Sequence, residues 1–351
     1  MRGSWKVQRA VVVAVGLALV LSCANFVVAG GAQAAVPPVG STSTFLGNGV
    51  RGPQAIATGP DGALWFTNSM GRSIGRLTTA GVFSNYFDAA LREPAGITAG
   101  PDGALWFTDR SAGLIGRVNM AGTISTFSSG AVATPSRITT GVDGRLWFTD
   151  RSSQSIGRIT TAGVLSSIDD PMVAGTSSVT AGPDGNMWFA STYWKQVGRI
   201  SASGVVTTFA MPDPYPPVNY QPDVIVAGPD GNLWFTLPLS YQIGRITTGC
   251  ALTFFGGIGS DPTDLVNGPD GALWFTTAPH GPLPYIERIS TSGVVTKFQD
   301  PAAWKPTSIA TGPDGALWFT DNYRHGLGRM TPSGVVTTFA GTDLSYPSSI
   351  V

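Results

Sequence analysis

Three aspartates stand at equivalent places in a repeated motif. Asp109, Asp150 and Asp321 each follow "WFT". Carboxylates gathered at strand ends, with carbonyls and water, are the ligand set of a hard divalent cation such as Mg2+. The competing reading is that each Asp accepts backbone N–H groups of its own loop. Only two histidines occur, His280 and His325, and only two glutamates, Glu93 and Glu287. A convergent His pair can serve as general base and acid near neutral pH. Glu93 is a further acid beside a strand start. Two loop histidines with no chemical task are the plainer alternative. No G-x-S-x-G, H-E-x-x-H, phosphate-binding loop or paired-Cys motif is present.

These residues depend on a scaffold that announces itself by repetition. "GPDGALWFT" begins at Gly59, Gly100, Gly268 and Gly312, with variants at Gly141, Gly182 and Gly228. The successive intervals are 41, 41, 41, 46, 40 and 44 residues. That period belongs to repeat architectures. Each unit holds four short β-prone runs separated by turn signals, and no window has helical period or length. In the PDG turn, Pro presets φ, Asp bonds back to the backbone, and Gly accepts positive φ. The expected fold is all-β, a seven-bladed β-propeller of four-stranded antiparallel blades, with strands a to d in each blade. Trp and Phe of "LWF" point to opposite faces of strand b. Both are buried only if the blade packs on two neighbours, as in a ring. The seven Arg after "IG" or its variant and the seven Asp of the turn read as bracing, because every unit has them.

The chain divides into an export signal over 1–34, a short linker over 35–41 and a single propeller over 42–351. Arg2, Lys6 and Arg9 precede an apolar run over 10–21, and Ala32-Gln33-Ala34 offers a cleavage site. An uncleaved anchor and a lipid on Cys23 are the alternatives. Cleavage makes the protein secreted or extracytoplasmic, without stable membrane association. It removes three of 21 basic residues and no acidic ones, leaving a net charge of −3. That balance gives no electrostatic case for nucleic acid or an anionic membrane. One cysteine, Cys250, remains, so no internal disulfide is expected. Thr42 to Phe45 resembles a strand d and Ser348 to Val351 a strand a, so either terminus can complete the closing blade.

The d–a and b–c loops share one face of the disc, and the tight hairpins share the other. Departures from the repeat cluster on the first face. They include the Pro-rich insertion over 211–222, the longer b–c loop of unit six, both histidines, and the non-repeat Trp194 and Trp304. Binding residues commonly sit on loops held by a rigid scaffold. A small-molecule or peptide ligand is therefore expected there, against Tyr193, Trp194, Tyr285, Trp304 and Arg324.

The repeated "P-x-G-I-x-x-GPDG-x-LWFT-[acid]-x(5)-IGRI" resembles the virginiamycin B lyase (streptogramin lyase) family over roughly 42–351. The resemblance implies a seven-bladed propeller. In active members it implies a magnesium-dependent lyase that opens a cyclic depsipeptide antibiotic at its ester by elimination, hence antibiotic resistance. The family segment reads like "E-P-H-G-I", with a Glu fourteen residues after the His. Here Glu93-Pro94-Ala95-Gly96-Ile97 and Asp109 take those places. Ala95 stands where the resemblance puts the proton-abstracting His, and the equivalents are Gln54, Ser136, Ser177, Asp223, Thr263 and Thr307. Three readings follow: a binding or scaffold member without that His, a lyase whose base is His280 or His325, or a metal-dependent lactonase or esterase-type propeller.

Overall fold

The structure, a computed structural model, describes residues 26–29, 44–47, 49–130, 132–152, 154–212, 219–278, 285–299 and 305–341. The charged start, apolar run and cleavage site of the export signal, the linker, His280, Trp304 and Ser348 to Val351 lie outside these residues. Seven four-stranded antiparallel blades form a ring, over 53–87, 94–127, 135–168, 176–210, 225–255, 261–299 and 306–341. Blade two shows the pattern: strand a is Pro94–Ala99, b is Leu105–Asp109, c is Leu114–Val118 and d is Ile124–Phe127. Each blade takes its four strands from one continuous unit, so neither terminus supplies a missing one. Thr44–Gly47 instead adds to the outer strand of blade seven as a parallel fifth strand. Phe26–Ala29, within the segment read as the export signal, adds likewise to blade five.

Trp and Phe of "LWF" are both buried, as a ring requires. The Trp of each blade packs into the core of the next. Trp65 lies with Ile97, Leu105 and Phe107, and Trp106 with Ile138, Leu146 and Phe148. Trp318 of blade seven lies with Ile56, Leu64 and Phe66 of blade one. Ring closure is thus the same contact used a seventh time. Two glycines in every unit but the sixth, which has one, make room for the aromatics. A Cβ on Gly100 would lie 2.3 Å from Trp106 Cδ1, and one on Gly116 would lie 2.0 Å from Phe107 Cζ.

The turn Asp anchors the Trp. Its Oδ1 accepts the indole N–H at 2.8–3.0 Å in all seven blades. Its Oδ2 pairs with the Arg of strand c, as in Arg117–Asp102 at 2.6 Å and Arg329–Asp314 at 2.6 Å. That Arg lies over the Trp ring in several blades, at 5.9 Å for Arg76 and 5.5 Å for Arg245. Burial works against the charge on Asp102, but its bonds from Trp106, Arg117 and the Ala104 N–H outweigh it and hold the carboxyl below its ordinary value. Blade three departs: Arg145 approaches Asp143 at 3.9 Å, and Arg158 Nε is buried without a hydrogen-bond partner.

The Thr of "WFT" ties the blades near the axis. Thr108 Oγ1 accepts the Gly96 N–H at 2.9 Å and donates to Ser136 O of the next blade at 2.6 Å. Thr320 donates to Gln54 O at 3.0 Å, so this stitch also closes the ring.

Two predictions concern this frame. Asp102→Ala leaves the buried Trp106 N–H and Arg117 without their acceptor and should cost about 1–3 kcal/mol in urea unfolding. Val142 stands where the other units carry Pro, and the Gly144 N–H closes that turn on Gly141 O at 3.2 Å. Val142→Pro should stabilise by about 0.4–1 kcal/mol, read as a raised Tm, because it restricts the unfolded chain at a compatible φ.

Candidate functional site

The three aspartates that end strands b are loop caps by geometry. Asp109 accepts the N–H groups of Arg92 at 2.7 Å, Glu93 at 2.9 Å and Ala112 at 2.9 Å. Asp150 accepts those of Ala133 at 2.7 Å, Thr134 at 3.1 Å and Ser152 at 3.1 Å. Asp321 accepts those of Lys305 at 2.7 Å and Arg324 at 2.9 Å. All three are buried, and none lines the axial channel. The structure does not bring them together: among the described residues no three His, Cys, Asp or Glu side chains are grouped to hold a metal ion. Each carboxylate locks its d–a loop to its b–c loop.

His325 has a structural employment. It is the last residue of the b–c loop of blade seven and takes φ 51, as Arg72, Gln154, Lys195 and Tyr241 do in theirs. Its Nδ1 accepts the Gly52 N–H at 2.9 Å, across the junction of blades seven and one. The proton of neutral His325 is therefore on Nε2. Glu93 pairs with Arg110 at 3.1 Å and accepts from Ser111. Tyr193 and Trp194 are exposed neighbours with ring centroids 5.0 Å apart. Tyr285 opens strand c of blade six, and Arg324 is exposed on the b–c loop of blade seven. The insertion over 211–222 is anchored by buried Met211 and Tyr220, with Tyr220 stacked on Phe254 at 4.7 Å.

Two cavities of like volume open on this face near the axis. One, of about 440 Å³, lies between blades six, seven and one. Its walls are largely apolar: Met70, Ala278, Pro306 and Tyr323, with Thr263, Thr307, Lys305 and Asn322. Lys305 Nζ sits 4.4 Å above the Tyr323 ring. Asn322 Oδ1 is buried with no hydrogen-bond partner. The other cavity, also about 440 Å³, is the axial channel. One register position of strand a, just before the inward Ile of "GI", lines it in every blade. Its occupants are Ala55, Gly96, Arg137, Ser178, Val224, Asp264 and Ser308. Arg137 reaches Asp264 across the channel at 3.3 Å. The sequence reading missed this pair. Its signal was present: comparing that position across units leaves two charged residues of opposite sign, three blades apart.

Glu287, one of the two glutamates, stands where the other units carry the Gly before the strand-c Arg. It is fully buried, its Oε1 accepts the Gly259 N–H at 2.8 Å, and its Oε2 has no hydrogen-bond partner. In blade six, Thr277 occupies the position of the capping Asp. Phe275 pairs with Glu287 in register, so Glu287 and Thr277 share a face. The loop-capping carboxylate has moved from the end of strand b to the middle of strand c. Burial pushes the Glu287 carboxyl up to about 7, against the opposing Gly259 bond and the Lys297 charge. The folded state then holds a proton that the unfolded chain has lost between pH 4.5 and about 7. Stability falls across that window and the whole loss is present above it. Glu287→Gln should therefore be more stable than wild type at pH 8, by about 1–3 kcal/mol, and equal to it at pH 4, in paired denaturant titrations.

The virginiamycin B lyase family profile matches residues 27–216 and 214–351. A solved streptogramin B lyase is 27% identical, with 79% of this chain and 93% of that chain covered and a TM-score of 0.71. A catalytically inactive virginiamycin B lyase from Staphylococcus aureus, with one His replaced by Ala and solved with quinupristin, is 29% identical. There 79% of this chain and 94% of that one are covered, again with a TM-score of 0.71. The hydrazine synthase of Kuenenia stuttgartiensis, at 15% identity, shares the fold, with 81% and 96% covered and a TM-score of 0.65. No curated protein sequence matches. With the repeat, the ring and the profile agreeing over nearly the whole propeller, the chain belongs to the virginiamycin B lyase family.

Proposed function

We propose that this protein is an exported member of the family that binds a ligand on the d–a/b–c face without the family's elimination chemistry. The observation that carries the reading is the set of residues at the positions where the resemblance puts the base. They are Gln54, Ala95, Ser136, Ser177, Asp223, Thr263 and Thr307. The hydroxyls among them are engaged: Ser177 donates to Asp223 O at 2.7 Å, and Thr263 and Thr307 bond to Thr276 and Thr320 at 2.9 Å. An alcohol, an amide or an alkyl group there is no general base near neutral pH, and the one carboxylate of the set, Asp223, stands in a different blade from Glu93 and Asp109. His325 accepts a backbone N–H at Nδ1, which ties its free-base nitrogen to the ring junction.

The ligand's place is the apolar cavity between blades six, seven and one, lined by Thr263 and Thr307 themselves. Apolar walls and a cation held over Tyr323 suit an aromatic or cyclic-peptide ligand. The solved relative adds support, since it is described as inactive after one His-to-Ala change yet was obtained with quinupristin. Export rests on the N-terminal pattern of charge, apolar run and small residues.

The test incubates the full mature chain with quinupristin and Mg2+. Chromatography should show no ring-opened product of unchanged mass, while calorimetry shows saturable binding that Tyr323→Ala weakens at least tenfold. Turnover would overturn the absence of chemistry, and no saturable binding would overturn the ligand site.

A further inference from the structure

The axial channel carries a charge pattern that the scaffold does not require. Arg137 and Asp264 occupy the same lining position three blades apart, close to opposite on a ring of seven. Asp264 is nearly buried and saturated: one oxygen takes Arg137 at 3.3 Å and the other takes the Ile309 N–H at 3.0 Å. The acid therefore orients one edge of the guanidinium and leaves the rest of the fork toward the channel. Just above, Arg110 is held in the same way. Glu93 takes Nη1 at 3.1 Å, Ser136 Oγ takes Nη2 at 3.4 Å, and Nε is buried with no partner. Arg151 is the equivalent of Arg110 one blade on, also lines the channel and is exposed. The charged residues lining the channel are these three arginines and Asp264.

We propose that the channel mouth between blades two, three and four is an anion site for a small molecule bearing a carboxylate or phosphate group. Two guanidinium forks are oriented in advance by acids, which is the arrangement that recognises planar or tetrahedral oxyanions. With Glu93 counted beside Arg110, three arginines face two acids, and the one net positive charge left in the recessed mouth, that of Arg151, attracts anions. The volume, about 440 Å³, falls in the range of small-molecule sites. Arg151 closes on the anion from the solvent side. This site is separate from the apolar cavity and does not depend on the ligand proposed there.

The experiment is calorimetry on the full mature chain at low, constant chloride, with inorganic phosphate in one arm and succinate in the other. At least one arm should show a single saturable site, and the arm that binds identifies the oxyanion. Arg151→Gln, an exposed change that leaves the unliganded Tm in place, should weaken that binding at least tenfold. Arg137→Gln combined with Asp264→Asn removes the oriented fork without leaving a lone charge, and should do the same. Both variants should keep wild-type quinupristin behaviour. Saturable binding in neither arm, or binding unaltered in both variants, overturns the proposal.

Discussion

The bond from each Trp indole N–H to its turn Asp fixes the rest of this ring. Burying a Trp removes roughly 200 Å² from water, on the order of 5 kcal/mol before entropy is counted. An exposed ion pair such as Arg–Asp contributes about 0–1 kcal/mol. Burial therefore supplies the driving force, and the Asp decides where the ring goes. It satisfies the only polar atom of a side chain pushed into the neighbouring blade, and it does so from a turn whose shape Pro and Gly preset. The first Gly of the unit exists because nothing larger fits beside that indole. A single motif of nine residues thus holds the turn, the aromatic and the space for it.

One consequence is that closure needs no special device. Trp318 enters blade one as Trp65 enters blade two, and Thr320 stitches to Gln54 as Thr108 stitches to Ser136. The extra parallel strand at Thr44–Gly47 lies on the outer edge of blade seven, where it covers unpaired backbone groups rather than completing a blade. His325 adds one more bond at the same junction. A histidine in a loop on the d–a/b–c face is thus employed in the scaffold.

Much of this was legible in the sequence because repetition separates scaffold from exception. Six copies of "LWF" and one of "MWF" predict burial on both faces, and the four β-prone runs predict the blades. The loop-capping role of Asp109, Asp150 and Asp321 was one of two open readings. Type and spacing cannot choose between them, since a cap and a metal ligand both ask for a carboxylate at a strand end. Only the distances to Arg92, Ala133 and Lys305 N–H groups decide where the lone pairs go. The Arg137–Asp264 pair escaped for another reason. Attention fell on loops, whereas the pair sits inside strand a, at a position whose other occupants are small or apolar. Pairing two residues 127 apart in sequence needs the ring geometry as well as the repeat.

Glu287 shows how far an exception can be trusted as a sign of chemistry. A buried acid with a raised pKa is a usual mark of an active site. Here it stands where Gly clears the Phe ring in the other blades, and it does the work of the missing strand-b Asp in the same blade. Its unsatisfied oxygen is the cost of reaching the loop from one strand further away. A departure that restores a job done elsewhere in the repeat argues for scaffold. A departure with no counterpart in the repeat, such as charge at the channel-lining position of strand a in only two of seven blades, has no such explanation. In this ring the side chains free to vary are those that face the axis or the b–c loops, because packing between blades places no demand on them. The Trp contacts that make the ring thus leave those positions as the ones where the proposed ligand sites can lie.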